Sequence, residues 1–354
     1  MWATQSDAFF DCARIDMDGT LVATTGACKD GMDIAYDGTW GYHPLIVSLA
    51  NTGEVLSIVN RPGSRPSHED AAREADRALL LCVRAGFRKI VFRGDTDFSQ
   101  TERLDGWDAQ PRLRFYFGYD AAPNLKEIAE NLPASAWRPL VRPARYHVKT
   151  QPRHRPANVK EQVVKAREFK NIVLVSEDVA EFDYRPSACR KSYRMVVVRK
   201  NLSVEKGEQV LFPDERYFFY ITNERSCTRD EVVYEANDRC NQENHIAQLK
   251  SGCRALHAPV DNLESNWAYM LMTALAWNLK AWWALSLSAP PGRWQERHQK
   301  EKEWVLRLEF KSFVNAFVLL PCQIVRTSGK VVYRLLSWNP HLSIFFRLWD
   351  VVRC

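Results

Sequence analysis

Two apolar runs between Pro44 and Val59 are joined by Asn51-Thr52-Gly53, and this short turn constrains the fold more than any other feature of the sequence. Runs this close together return on themselves as a β-hairpin, because a parallel crossover needs a dozen or more residues between strands. Upstream, Ala13 to Leu21 reads as a strand that places Asp16 and Asp18 on one face at period two. Downstream, the spacing predicts a helix from His68 to Ala85 with Ser67 as its cap, then a strand from Lys89 to Arg93 that delivers Asp95 at its end. The first hundred residues therefore read as a β-meander, a helix and a further strand.

A short helix is expected after Asp95, followed by a strand around Leu113 to Tyr119 and a helix from Asn124 to Glu130. Prolines and basic residues dominate from Pro133 to Pro156, and β-rich runs follow at Lys170–Val175, Ser192–Arg199 and Tyr217–Thr222. From Asp230 the pattern is helical to about Lys311. The expected parts are an α/β core segment at 1–132, a basic β-rich insertion at 133–225 and a mainly helical second core segment at 226–354. Trp267 to Leu287 is apolar enough to suggest a membrane span, but Asn278 and Lys280 sit at its middle. A lysine there costs about 2.5–3.5 kcal/mol on insertion, so the stretch is expected to be a core helix, with no membrane partner. Trp267, Trp277, Trp282 and Trp283 in this stretch suit base stacking in principle, but an apolar helical setting favours core packing.

The formal net charge is +6, a weak pointer to an acidic partner until its distribution is considered. Between Arg138 and Lys170 there are ten Lys or Arg residues against Glu161 and Glu168, a local balance of +8. Charge concentrated in this way suits a strip that neutralises several phosphates together. Nine cysteines occur without a CxxC pair, which argues for free thiols in a reducing compartment and against a zinc ribbon. His147 and His154 lie in the basic strip without a second ligand at zinc spacing, so no metal role is assigned to them.

The chemistry concentrates in carboxylates. Ile15-Asp16-Met17-Asp18-Gly19-Thr20-Leu21 resembles the opening motif of haloacid-dehalogenase-type phosphatases, in which the first Asp is the nucleophile and the second the general acid or base. That family needs a crossover unit after its first strand, whereas here a hairpin follows. The other reading makes Asp18 the first of three carboxylates, with Asp95 and Glu243, that converge on two metal ions roughly 3.5–4 Å apart. If one helix carries Arg239, Glu243 and Lys250, they lie at i, i+4 and i+11, and the carboxylate is flanked by two cations.

Three strings carry a resemblance to DDE transposases of bacterial insertion sequences, specifically those of the group-1 DDE domain. Asp16-Met17-Asp18-Gly19-Thr20 is similar to the first motif, and Arg93-Gly94-Asp95-Thr96-Asp97-Phe98 to the second. Arg239, Glu243 and Lys250 match the Arg-x3-Glu-x6-Lys part of the signature Tyr-x2-Arg-x3-Glu-x6-Lys. The signature tyrosine falls on Ala236, with Tyr234 two residues early, and Asp97 stands where the second motif usually has a small residue.

The resemblance implies a ribonuclease-H-like α/β core interrupted by a β-rich insertion, with Asp18, Asp95 and Glu243 as catalytic residues and ligands of two Mg2+ ions that Mn2+ can replace. It implies double-stranded DNA as partner, both element ends and target, a homodimer on that DNA, and a cytoplasmic, nucleoid-associated location. Arg239, Lys250 and Arg93 are the expected DNA contacts, joined by Arg145 and Lys149 of the basic strip. Arg93 has a second option, fixing Asp95 by a bidentate pair. Family members carry an end-recognition domain before the first Asp, whereas 17 residues precede Asp18 here, which leaves open a truncated copy. The alternatives are a magnesium-dependent phosphatase using Asp16 and Asp18, and an inactive DNA-binding remnant.

Overall fold

A computed structural model describes residues 1–26, 28–142, 159–167, 170–206 and 209–352. In chain order the elements used below are β1 (Cys12–Gly19), β2 (Leu45–Leu49), β3 (Glu54–Val59), α1 (Ala71–Ala85), β4 (Lys89–Gly94), α2 (Thr101–Asp108), β5 (Leu113–Tyr119) and α3 (Pro123–Glu130). They continue with β6 (Lys170–Tyr184), β7 (Tyr193–Lys206), β8 (Gln209–Thr222), α4 (Arg229–Asp238), α5 (Asn241–Ser251), α6 (Leu263–Ser286) and α7 (Gln295–Arg307). A last hairpin, β9 (Cys322–Thr327) and β10 (Lys330–Leu335), precedes α8 (Leu342–Val352). The chain is mixed α/β and divides into two compact units, one of Met1–Arg93, Pro111–Leu113 and Arg239–Cys354, the other of Gly94–Gln110 and Arg114–Asp238.

In the first unit the strand order is β3-β2-β1-β4. β1 runs antiparallel to β2 and parallel to β4, and β2 pairs antiparallel with β3 through the Asn51–Gly53 turn. Every residue of β2 is buried, as expected of a strand covered on both faces. β3 is the edge of this sheet, and side chains of α6 satisfy its open backbone groups. Trp267 Nε1 donates to Ile58 O at 2.5 Å and Trp277 Nε1 to Gly53 O at 2.6 Å. The Asn278 amide accepts from Val55 N and donates to Val55 O, both at 2.8 Å. The edge is thereby closed to other strands.

Buried Glu54 accepts from Trp2 Nε1, Thr52 Oγ1 and Trp282 Nε1, and Trp283 packs edge-on against Phe313 and Phe317. The four tryptophans therefore build the core. Lys280, also buried, donates from Nζ to Leu306 O and Leu308 O at 3.0 and 2.6 Å, and burial pushes its pKa down to about 8. The opposite face of α6 exposes Leu271, Met272, Leu275 and Leu279, so the helix is a core helix along one side only. Among the described residues no helix is long and apolar enough to cross a membrane.

α1 starts at Ala71, three residues later than the sequence suggests, and Ser67 does not cap it. Buried Arg61 explains the delay. Its guanidinium holds the carbonyls of His43, Pro66, Ser67 and Glu69 at 2.6 to 3.1 Å, which fixes residues 66–70 as a loop. Asp70 completes the turn at φ +62°, and Gly86 ends the helix at φ +101°, where a side chain would be strained.

In the second unit β8 lies between β5 and β7, with β6 beyond β7, all antiparallel. The β-rich runs of the sequence are thus three long strands of fourteen or fifteen residues. Tyr193, on β7, donates from its hydroxyl to Asp105 on α2 at 2.6 Å, and Arg199 lies over the Trp137 ring at 4.4 Å.

Candidate active site

β1 carries the two aspartates into different environments. Asp16 lies in register with Arg93 of β4 and is 1% exposed, and Arg93 is completely buried. The guanidinium meets the carboxylate with two parallel bonds, Nε to Oδ1 at 2.6 Å and Nη2 to Oδ2 at 2.8 Å. A bidentate pair of this kind fixes the register of the two parallel strands, and removal of either partner leaves an uncompensated buried charge. Arg93 was expected at DNA. Its burial corrects that, because a phosphate cannot reach a guanidinium enclosed by its own sheet.

Asp18, two residues on, is half-buried where the strand ends. Its Oδ1 accepts from Gly19 N at 2.8 Å, and its Oδ2 stands 3.8 Å from Arg239 Nη1. Lys250 adds a second cation. Its Nζ is held by Leu21 O at 2.9 Å, and burial lowers its pKa while the charge of Asp18 acts in the opposite direction. The sequence pattern set Arg239 and Lys250 on either side of Glu243, whereas the structure brings both to Asp18, and the expectation of one continuous helix needs correcting. α4 ends at Asp238 and α5 begins at Asn241, and Gln242 N and Glu243 N donate to Arg239 O and Cys240 O in a tight turn. Arg239 thus approaches Asp18 from that turn.

α5 is fixed by Gln242, Ile246 and Leu249, which are buried at i, i+4 and i+7. Ser48 Oγ on β2 donates to Gln242 Oε1 at 2.5 Å, and Ile246 and Leu249 join Ile46, Ile58, Met270 and Trp277 in the core. Glu243 is exposed in the first turn, where the helix dipole favours a carboxylate, and Lys250 lies in the last. His245 stacks on Trp277 with centroids 4.9 Å apart, and burial pushes its pKa down to about 3, helped by the charge of Lys280.

Nothing in the sequence singles out His43. Its Nδ1 is 2.9 Å from Arg65 O, and a Cβ added at Gly19 would lie 2.8 Å from its Nε2. A side chain after Asp18 would push the imidazole from this position.

Asp95 belongs to the second unit, where it caps a single 3-10 turn and its Oδ1 accepts from Asp97 N at 3.0 Å. Tyr234 lies on α4 in that unit, and burial raises its pKa, with Asp230 adding to the effect. Arg145 and Lys149, like His147 and His154, lie outside the described residues. The eight described cysteines are free.

The carboxylate oxygens of Asp18, Asp95 and Glu243 are the donor type that a hard divalent cation takes. Among the described residues no three His, Cys, Asp or Glu side chains stand close enough together to hold a metal ion. In the described arrangement Asp18 is balanced instead by the two neighbouring cations.

A sequence model of the family described as transposase DDE domain group 1 matches residues 13–302. No curated protein sequence matches the chain. Among solved structures, the chain is similar to one of a cryo-electron microscopy structure of the piggyBac transposase synaptic complex with hairpin DNA. The TM-score is 0.43 and the identity 9%, over 88% of this chain. The chain spans 55% of that protein's length.

Proposed function

The chain belongs to the transposase DDE domain group 1 family, and from that premise we propose that it catalyses phosphodiester hydrolysis and strand transfer at the ends of an insertion sequence. The carrying observation is the contrast on β1, where Asp16 is locked in a buried pair with Arg93 while Asp18 stands half-buried beside Arg239 and Lys250. This contrast also disfavours the phosphatase reading, because a nucleophile must reach its substrate and Asp16 is enclosed.

In this reading Asp18, Asp95 and Glu243 would hold two Mg2+ ions, or Mn2+ in their place, within a ribonuclease-H-like core. When bound, the metal supplies charge neutralisation and an activated water or 3′-hydroxyl. Arg239 and Lys250 set a positive field where a DNA phosphate would sit and hold it against Asp18. Glu243 is presented by a helix whose buried face is fastened to β2 and the core, so the carboxylate stands on a rigid support. The DNA partner comprises element ends and target, bound by a homodimer.

The test compares Asp18→Asn with Asp16→Asn in a supercoiled-plasmid nicking assay in manganese. Asp18→Asn is expected to fold normally and to lose at least about 100-fold in rate, the scale of losing one transition-state contact. Asp16→Asn is expected to reduce stability first. Full nicking by Asp18→Asn overturns the assignment.

A further inference from the structure

The hairpin β9–β10 lies after the stretch matched by the family and takes no part in the site above. Its strands pair from Cys322 with Leu335 to Thr327 with Lys330, and Ser328 and Gly329 join them at φ +47° and +72°. Two successive positive φ values make a turn whose twist matches that of the strands.

No residue between Phe317 and Ile344 is buried. The neck is held by Leu336 N donating to Pro321 O and by Asn339 Nδ2 donating to Ala316 O. The flanking Phe313, Phe317, Ile344 and Leu348 anchor that neck in a helical core with Ala284, Leu287 and Val305. The result is a ribbon of about 20 Å projecting from a packed base. An isolated two-stranded ribbon is marginal in water, and packing this exposed one against a ligand would stabilise it.

Its charges indicate which. From Phe310 to Trp349 the sequence has no Asp or Glu. Arg326, Lys330 and Arg334 all lie on the ribbon and are exposed. Residues opposite one another in an antiparallel pair share a face. Lys330, opposite Thr327, and Arg334, opposite Gln323, therefore share one face, and Arg326, opposite Val331, lies on the other with Ile324 and Tyr333. Lys330 and Arg334 are about 13 Å apart along their strand.

We propose that this ribbon is a DNA-contacting arm that enters the major groove of duplex DNA and meets phosphates with Arg326, Lys330 and Arg334. The proposal rests on the transposase reading. A two-stranded ribbon fits the major groove, about 12 Å wide, and a groove offers phosphates on both walls. Cations on both faces suit that geometry. One face carries Lys330 and Arg334 and the other carries Arg326 among Cys322, Ile324, Val331, Tyr333 and Leu335, so an anionic membrane surface is the competing outcome that the test separates.

The test uses the full chain and its Arg326→Gln/Lys330→Gln/Arg334→Gln variant, with a labelled duplex titrated by fluorescence anisotropy across salt concentrations. Each lost phosphate contact lowers the salt slope of log K by about 0.9, so a fall of roughly 2–3 and at least a ~10-fold weaker affinity are expected. A second variant, Gly329→Val, keeps the charges but strains the turn, and is expected to weaken binding in the same direction. Unchanged affinity and slope in the triple variant overturn the arm. So does loss of binding to phosphatidylserine vesicles with duplex binding intact, which assigns the ribbon to a membrane surface. Wild type that nicks DNA through Glu243 while the triple variant binds normally refutes the arm alone. Wild type that neither nicks nor binds refutes the transposase reading as well.

Discussion

The strand β1 and the ribbon β9–β10 use the same residue types to opposite ends. On β1 and its neighbour β4, Arg93 is enclosed and holds Asp16 with two short bonds. On the ribbon, Arg326, Lys330 and Arg334 are exposed on a segment without a carboxylate. Burial forces a charge to take a protein partner, because leaving it unpaired in a low dielectric costs several kcal/mol. Exposure removes that demand and leaves the charge to an external anion. Asp18 falls between these extremes, half-buried with Arg239 and Lys250 close by.

The contrast breaks most visibly at Arg93. Arg93→Met is expected to lower stability by about 3–5 kcal/mol in chemical denaturation, and pairing it with Asp16→Leu should restore most of the loss. A stable single variant would show that burial does not commit this charge.

Lys280 sharpens the buried side, since it has carbonyl partners and no carboxylate. Its folded pKa of about 8 lies below the ordinary 10.5, so the unfolded chain binds the extra proton between those values. Stability should therefore rise from pH 8 to 10.5, by up to ~3 kcal/mol, and Lys280→Met should flatten that rise in a pH series of melts. On the exposed side the effects are small. Ser328→Gly relieves a positive φ and should raise stability by up to about 1 kcal/mol. Neutralising Arg326, Lys330 and Arg334 together should shift stability by less than about 0.5 kcal/mol, and a larger change would mean that they hold the fold.

Local signals in the sequence were readable where local physics decides. Asn51–Gly53 announced the β2–β3 hairpin, the Lys89–Arg93 run announced β4, and the alternation from Leu113 to Tyr119 announced β5. The Arg-x3-Glu-x6-Lys spacing put Glu243 and Lys250 on one helix, but the approach of Arg239 and Lys250 to Asp18 was not readable from it. What stayed hidden depends on distant partners. The start of α1 is set by Arg61 reaching over residues 66–70, and Asp16 meets an arginine 77 positions away. His43 packs against Gly19 only once β1 and β2 are paired. The ribbon escaped for another reason, since Ser328-Gly329 is a turn signal whose flanking strands have no buried face to impose an alternating pattern.

Nicking of supercoiled plasmid by the purified chain in manganese, wild type beside Glu243→Gln, decides whether the three carboxylates act together. Metal-dependent nicking is expected, abolished by Glu243→Gln with duplex binding and thermal stability retained. Nicking that persists in Glu243→Gln would contradict that joint role.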